Sequence, residues 1–62
     1  MTTNEQLKDL FEKYLEENAK FEEKGIMVSA SRARKNLAEI AKLAKVRRVE
    51  ILEEKKKREE AK

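Results

Sequence analysis

An all-α fold, an antiparallel helical hairpin of two helices, follows from three features of this 62-residue sequence. Proline is absent, and the single glycine, Gly25, stands between two long stretches of strong helix formers. Each stretch carries apolar residues at spacings of three and four, the mark of an amphipathic helix. Only a short segment joins them, and short connections make antiparallel neighbours. The sequence thus reads as one domain, with helices expected over about 3–24 and 30–58 and a connector over 25–29. A chain of this length buries only about 60% of its unfolded surface. Such scaffolds are held by disulfides, a metal, oligomerisation or very regular helix packing. Cysteine is absent, so disulfides and thiolate zinc sites are excluded, and histidine is absent too. The remaining device is oligomerisation into a coiled-coil-like helical bundle, with a homodimer the simplest form.

Charged residues make up 47% of the chain and aromatics 5%. So much charge can signal disorder. Here both signs alternate among Ala, Leu, Glu, Lys and Arg, and that mixture favours helix instead. No apolar run approaches the roughly 20 residues of a membrane span, and the N-terminus has no signal-peptide core. The expectation is a soluble, cytoplasmic protein without a membrane partner.

The first helix opens on Thr2, Thr3 and Asn4, all good caps. Thr2 with Glu5 and Thr3 with Gln6 match the capping-box spacing. Leu7, Phe11, Tyr14, Asn18 and Phe21 form its apolar stripe, widened by Leu10 and Leu15. Its outer face mixes acids with Lys8, Lys13, Lys20 and Lys24. Asp9–Lys13 and Glu16–Lys20 have the favourable i,i+4 order, worth about 0.3 kcal/mol each. Aromatic residues at this spacing belong to a core, so Tyr14 is assigned no chemistry. Gly25 suits a left-handed C-terminal cap. Ile26, Met27 and Val28 then make an apolar connector, and Ser29 or Ser31 is the expected cap of the second helix.

Ala30, Ala33, Leu37, Ile40, Ala44, Arg47 and Ile51 give the second helix its three-four spacing, with Ala41 and Leu43 beside it. Folding about Met27 sets Phe21 near Ala33, Tyr14 near Ile40 and Leu10 near Ala44, large against small. A first helix of about 21 residues spans ~32 Å and a second of about 31 spans ~46 Å, so the second overhangs. Val49, Ile51 and Leu52 fall on or near the overhang, and Leu43 and Val46 point off the seam. These five are the expected oligomer interface. The tail from Glu53 has only i,i+4 charge pairing to keep it helical.

Charge is concentrated between Ser29 and Val49, which hold seven of the sixteen basic residues and one acid, Glu39. Helix starts ordinarily carry acids, because that end of the dipole is positive. The second helix starts instead with Arg32, Arg34 and Lys35, and such departures gather at functional sites. Ser29, Ser31, Arg32, Arg34, Lys35, Lys42 and Lys45 are therefore the candidate nucleic-acid-binding residues, with phosphate the group they fit. Arg47 and Arg48 lie near the seam, where they snorkel or pair with acids. The competing reading is a solvated, partly salt-bridged face. No aromatic residue interleaves the cluster, as single-strand stacking requires. Serine, alanine and lysine also offer little for reading base edges, so the expected partner is duplex DNA bound without sequence preference.

The run from Gly25 through Ser29-Ala30-Ser31-Arg32-Ala33-Arg34-Lys35 to Leu37-Ala38-Glu39-Ile40-Ala41-Lys42-Leu43-Ala44-Lys45 and Arg47 resembles bacterial and phage histone H1-like proteins of the Hc1 type. In that family an acidic amphipathic helix precedes a glycine, a block of small residues and arginine, and a helix of this kind. The resemblance covers about two-thirds of the chain and suggests a short member without the lysine-rich tail of larger ones. It implies non-specific DNA binding and nucleoid association, in a bacterium or in the host cytoplasm of a phage. Arg32, Arg34 and Lys35 match the family's basic block.

Catalysis lacks its parts. No histidine activates the Ser, Thr, Tyr and Lys nucleophiles, and there is no glycine-rich phosphate loop. Glu16–Glu17 and Glu22–Glu23 lie on one exposed helix with no cage for a metal. No enzyme, cofactor, metal or small-molecule substrate is expected. The alternative function is a helical-hairpin homo-oligomer that serves as a protein-interaction module without nucleic acid.

Overall fold

The computed structural model describes residues 2–61. Two helices, α1 (Thr3–Lys24) and α2 (Met27–Glu60), pack as an antiparallel hairpin, and the described residues contain no strand. The hairpin is 54 Å long and 17 by 14 Å across.

Thr2 caps α1 in an extended conformation, its hydroxyl accepting the Glu5 N–H at 3.2 Å. Asp9 and Lys13 form an ion pair at 3.1 Å. Lys20 lies 3.9 Å from Glu17, one residue on from the expected Glu16. At the far end Gly25 takes the left-handed conformation, φ 67°. Its N–H meets the Phe21 carbonyl at 2.9 Å, and the Ile26 N–H reaches back to Lys20 at 3.4 Å. This Schellman-type ending satisfies α1's last carbonyls and turns the chain at once.

The turn is tighter than the sequence suggests. Only Gly25 and Ile26 separate the helices, and α2 begins at Met27, not at Ala30. Neither Ser29 nor Ser31 caps it. Ile26 occupies the cap position without a side-chain hydrogen bond. The reason lies in packing: Ser29, 1% exposed, is the most buried residue described, with Ala33 next at 7%. Small side chains here let the helices close directly after the turn.

The seam repeats every four and three residues along both helices. In α1 it runs through Thr3, Leu7, Leu10, Tyr14 and Glu17. In α2 it runs through Ser29, Ala33, Asn36, Ile40, Leu43, Arg47 and Glu50. Both stripes are turned from the expected ones. Phe11, Leu15, Leu37 and Ile51 are exposed, whereas Leu43 is half-buried and lines a cleft with Leu10 between the helices. Polar pairing accounts for the turn. The Thr3 hydroxyl donates to Glu50 at 2.7 Å, and Arg47 donates to the other Glu50 oxygen at 3.1 Å. That network brings Glu50, not Ile51, onto the seam. Residues lie level where their numbers add to about 53, as Thr3 and Glu50 do, one less than a fold about Met27 gives.

Beyond Glu50 the last ten residues of α2 overhang α1 by about 15 Å. They stay helical to Glu60, with Glu54–Arg58 at 3.2 Å and Lys55–Glu59 at 3.8 Å along the exposed helix.

Glu50 closes the open end of the hairpin, and its carboxyl is held below the usual carboxylate range. The Thr3 hydroxyl is the main cause, followed by the Arg47 guanidinium. Because the folded state binds this proton less readily than the unfolded chain, the contact stabilises above the unfolded carboxylate pKa of about 4.3. The contribution then fades as pH falls through the lowered folded value. Thermal melts followed by circular dichroism should show the parent losing stability on acidification to a greater extent than Glu50→Gln. Parallel pH profiles for the two proteins would refute the role given to this contact.

Candidate nucleic-acid interface

The seam fixes where every other side chain of α2 points. Opposite it runs a ridge with the same alternation: Ser31, Lys35, Ala38, Lys42, Lys45, Val49 and Leu52, all exposed. No acid interrupts this ridge. Glu39, the one acid between Met27 and Val49, is half-buried on the shoulder, in clefts shared with Leu10. From Lys35 to Lys45 the cations span about 15 Å of helix.

The structure brings Ser31, Lys35, Lys42 and Lys45 onto one edge, and it separates the other expected residues from them. Arg34 lies on one shoulder with Ala41 and Arg48. Arg32 lies on the opposite shoulder, 3.9 Å from Glu17. Ser29 is buried in the seam, so its hydroxyl is withdrawn from any surface ligand. The expected phosphate pocket at the start of α2 therefore does not assemble. With the helix starting at Met27, Arg32 stands a full turn inside it, away from the free N–H groups. The cationic feature is a line along the helix instead.

Of the seven basic residues between Ser29 and Val49, two are engaged within the chain: Arg32 with Glu17 and Arg47 with Glu50. Lys35, Lys42 and Lys45 form no ion pair among the described residues, so their charge remains available to a polyanion. The seventh-residue repeat of Lys35 and Lys42 is legible in the sequence once the seam is counted at three and four. The same count shows that α1 carries a matching acidic ridge: Glu5, Asp9, Glu12, Glu16, Ala19 and Glu23. The hairpin thus has a basic edge on α2 and an acidic edge on α1.

Among the expected oligomer residues, Val49, Ile51 and Leu52 line one shallow groove on the overhang with Lys45, Arg48 and Lys55. Leu43 is turned to the seam, and Val46 lies on the shoulder of Glu39. No described helix is long and apolar enough to cross a membrane.

The model of the family described as Histone H1-like protein Hc1 matches residues 1–57, nearly the whole hairpin. The chain belongs to the Hc1 histone H1-like family. No curated protein and no solved structure matches it. The match reaches from the cap of α1 into the overhang of α2, so the acidic helix, the glycine turn and the basic ridge all lie within the matched span.

One seam residue weakens the fold beside this interface. Glu17 is largely buried, and its Oε2 has no hydrogen-bond partner. Arg32 and Lys20 both stand 3.9 Å from Oε1, too far for a hydrogen bond. An orphaned buried polar atom costs about 1–3 kcal/mol. Glu17→Leu removes that cost and adds an apolar seam residue, so it should raise the melting temperature by about 4–8 °C for each kcal/mol gained in a domain this small. An unchanged or lower melting temperature would show that Glu17 is better accommodated than its geometry implies.

Proposed function

We propose that this chain binds duplex DNA without sequence preference, as a self-associating nucleoid protein whose α2 ridge lies along the phosphate backbone. Membership in the histone H1-like family supports the coarser statement, a nucleoid DNA-binding protein and not an enzyme. The finer statement rests on one observation: Lys35, Lys42 and Lys45 share an acid-free edge and have no ion-pair partner among the described residues. Arg34 and Arg48 flank that edge on one shoulder, and Ser31 continues it toward the turn. Lysine suits the task as a mobile point charge that fits phosphates without fixed geometry. Nothing on the ridge pairs with base edges, so affinity comes from counterion release.

If the three ridge lysines each neutralise one phosphate, log affinity should fall with log salt at a slope near −3 per hairpin, at about −0.9 per contact. Replacing all three by glutamine should flatten the slope by about that amount, equally on unrelated duplexes. Helicity should persist, because none of the three holds the hairpin together. Arg32→Gln should cost less, since part of its charge already serves Glu17. A triple variant that binds as the parent does would refute the ridge. Absence of binding at low salt would favour the interaction-module reading, to which the exposed apolar side chains already lend weight.

A further inference from the structure

The hairpin has two broad faces, and they differ. One carries Lys13, Lys20, Arg32 and Glu39 beside two clefts, an apolar one with Leu10 and Leu43 and a mixed one with Glu16, Glu17 and Asn36. The other carries Phe11, Leu15, Leu37 and Ala41, all exposed, the three larger side chains at 51%, 48% and 45%. The helical count puts all four on one side, because in an antiparallel pair the positions beside the seam meet their counterparts across it. The Phe11 ring stands 6.1 Å from that of Tyr14 and continues the seam outward onto this face.

The chain as a whole, its exposed overhang included, shows more surface than a compact monomer of its mass. A folded monomer of 7.3 kDa exposes about 4,200 Å². This hairpin exposes 5338 Å², roughly 1,100 Å² more. A partner in a standard interface covers about 800 Å². Ala33 is the one buried apolar residue described, so the hairpin is short of core by about the amount a second chain supplies.

Charge selects the occupant and its orientation. Over Thr3–Lys24 the formal charges sum to minus three, and over Met27–Glu60 to plus five. Two copies face to face can stack α1 on α1 or α1 on α2. The first sets acid on acid, and the second sets acid on base. A twofold axis parallel to the hairpin gives the second arrangement and keeps the residue levels of the single chain. Phe11 then lies over Ala41 and Ala44 of the second copy, and Leu15 lies beside its Leu37. Arg48 comes level with Glu5 across the interface.

We propose that the face carrying Phe11, Leu15, Leu37 and Ala41 docks a second copy of this chain, with α1 of each lying across α2 of the other in an antiparallel four-helix bundle. The proposal rests on the self-association named above and adds the surface and the axis. In this dimer the two basic ridges occupy diagonally opposite corners and point apart.

The chain lacks cysteine, so single-cysteine variants report the geometry directly. Leu15→Cys and Leu37→Cys chains are mixed and oxidised at micromolar concentration without DNA. The mixed disulfide should exceed the half that random pairing gives, because those two positions meet only between unlike helices. Both substitutions are at exposed sites and leave the seam intact. Sedimentation equilibrium should show the parent as a dimer, Phe11→Glu/Leu37→Glu as a monomer, and Val49→Glu/Leu52→Glu as a dimer. Predominance of the two like disulfides, or a dimer lost through Val49 and Leu52 but kept without Phe11 and Leu37, overturns this face while leaving self-association intact. A monomeric parent overturns both.

Discussion

The constraint on which this molecule depends is a seam that repeats every three and four residues and contains little to bury. Ser29 and Ala33 bring the helices together at the turn, and Thr3, Glu50 and Arg47 close the open end with hydrogen bonds. Between them Leu10, Tyr14, Ile40 and Leu43 supply a modest apolar stretch. Because the repeat is regular, choosing the seam chooses every other direction. The basic ridge, the acidic ridge and the two unlike faces are all consequences of that choice.

A seam chosen partly by polar groups trades stability for definition. Glu50 satisfies both oxygens, one on Thr3 and one on Arg47, and so discriminates against a register shifted by one residue. Glu17 satisfies neither oxygen well, and buried carboxylates of that kind weaken a fold unless fully partnered. The closed end and the turn thus specify the register, while the middle contributes most of the apolar burial. A hairpin so constructed gains little from its own core and leaves large side chains outside it. Phe11 and Leu37 lie outside because Thr3 and Glu50 are inside.

The architecture was legible because composition and turn chemistry suffice for it. One glycine between two proline-free stretches of helix formers leaves few alternatives, and the Thr2 and Gly25 signals are local. The rotation of each helix was not legible, because an apolar count treats Thr3, Glu17, Asn36 and Glu50 as outside positions. The stripe of Leu37, Ala44 and Ile51 is the better apolar stripe, and it lost to a hydrogen-bond network that no spacing rule displays. The serine caps failed for a related reason: Ser29 is a good cap by type, but its small size was used for packing. The run of basic residues can be counted along the chain from sequence alone. Its division into a ridge and two shoulders depends on the seam and waited for the structure.

Segregated charge makes the net value of +3 a poor guide to how this hairpin meets a polyanion. The basic ridge and the acidic ridge stand on opposite sides of a plate 17 Å wide. That is two Debye lengths at physiological salt, where one length is about 8 Å. In the proposed complex a duplex against the outer edge of α2 stands nearer the ridge lysines than the acids on the outer edge of α1. Turned the other way, the same molecule offers a row of five acids and is repelled. In the proposed complex these acids favour α2 as the side turned to DNA. Lys42 shares a cleft with Asp9 and Lys35 shares one with Glu16, yet neither lysine forms an ion pair among the described residues. Among the seven cations between Ser29 and Val49, Arg32 and Arg47 are the two that find internal acids. The seam that turns Arg32 and Arg47 toward internal acids is the same seam that turns Lys35, Lys42 and Lys45 outward.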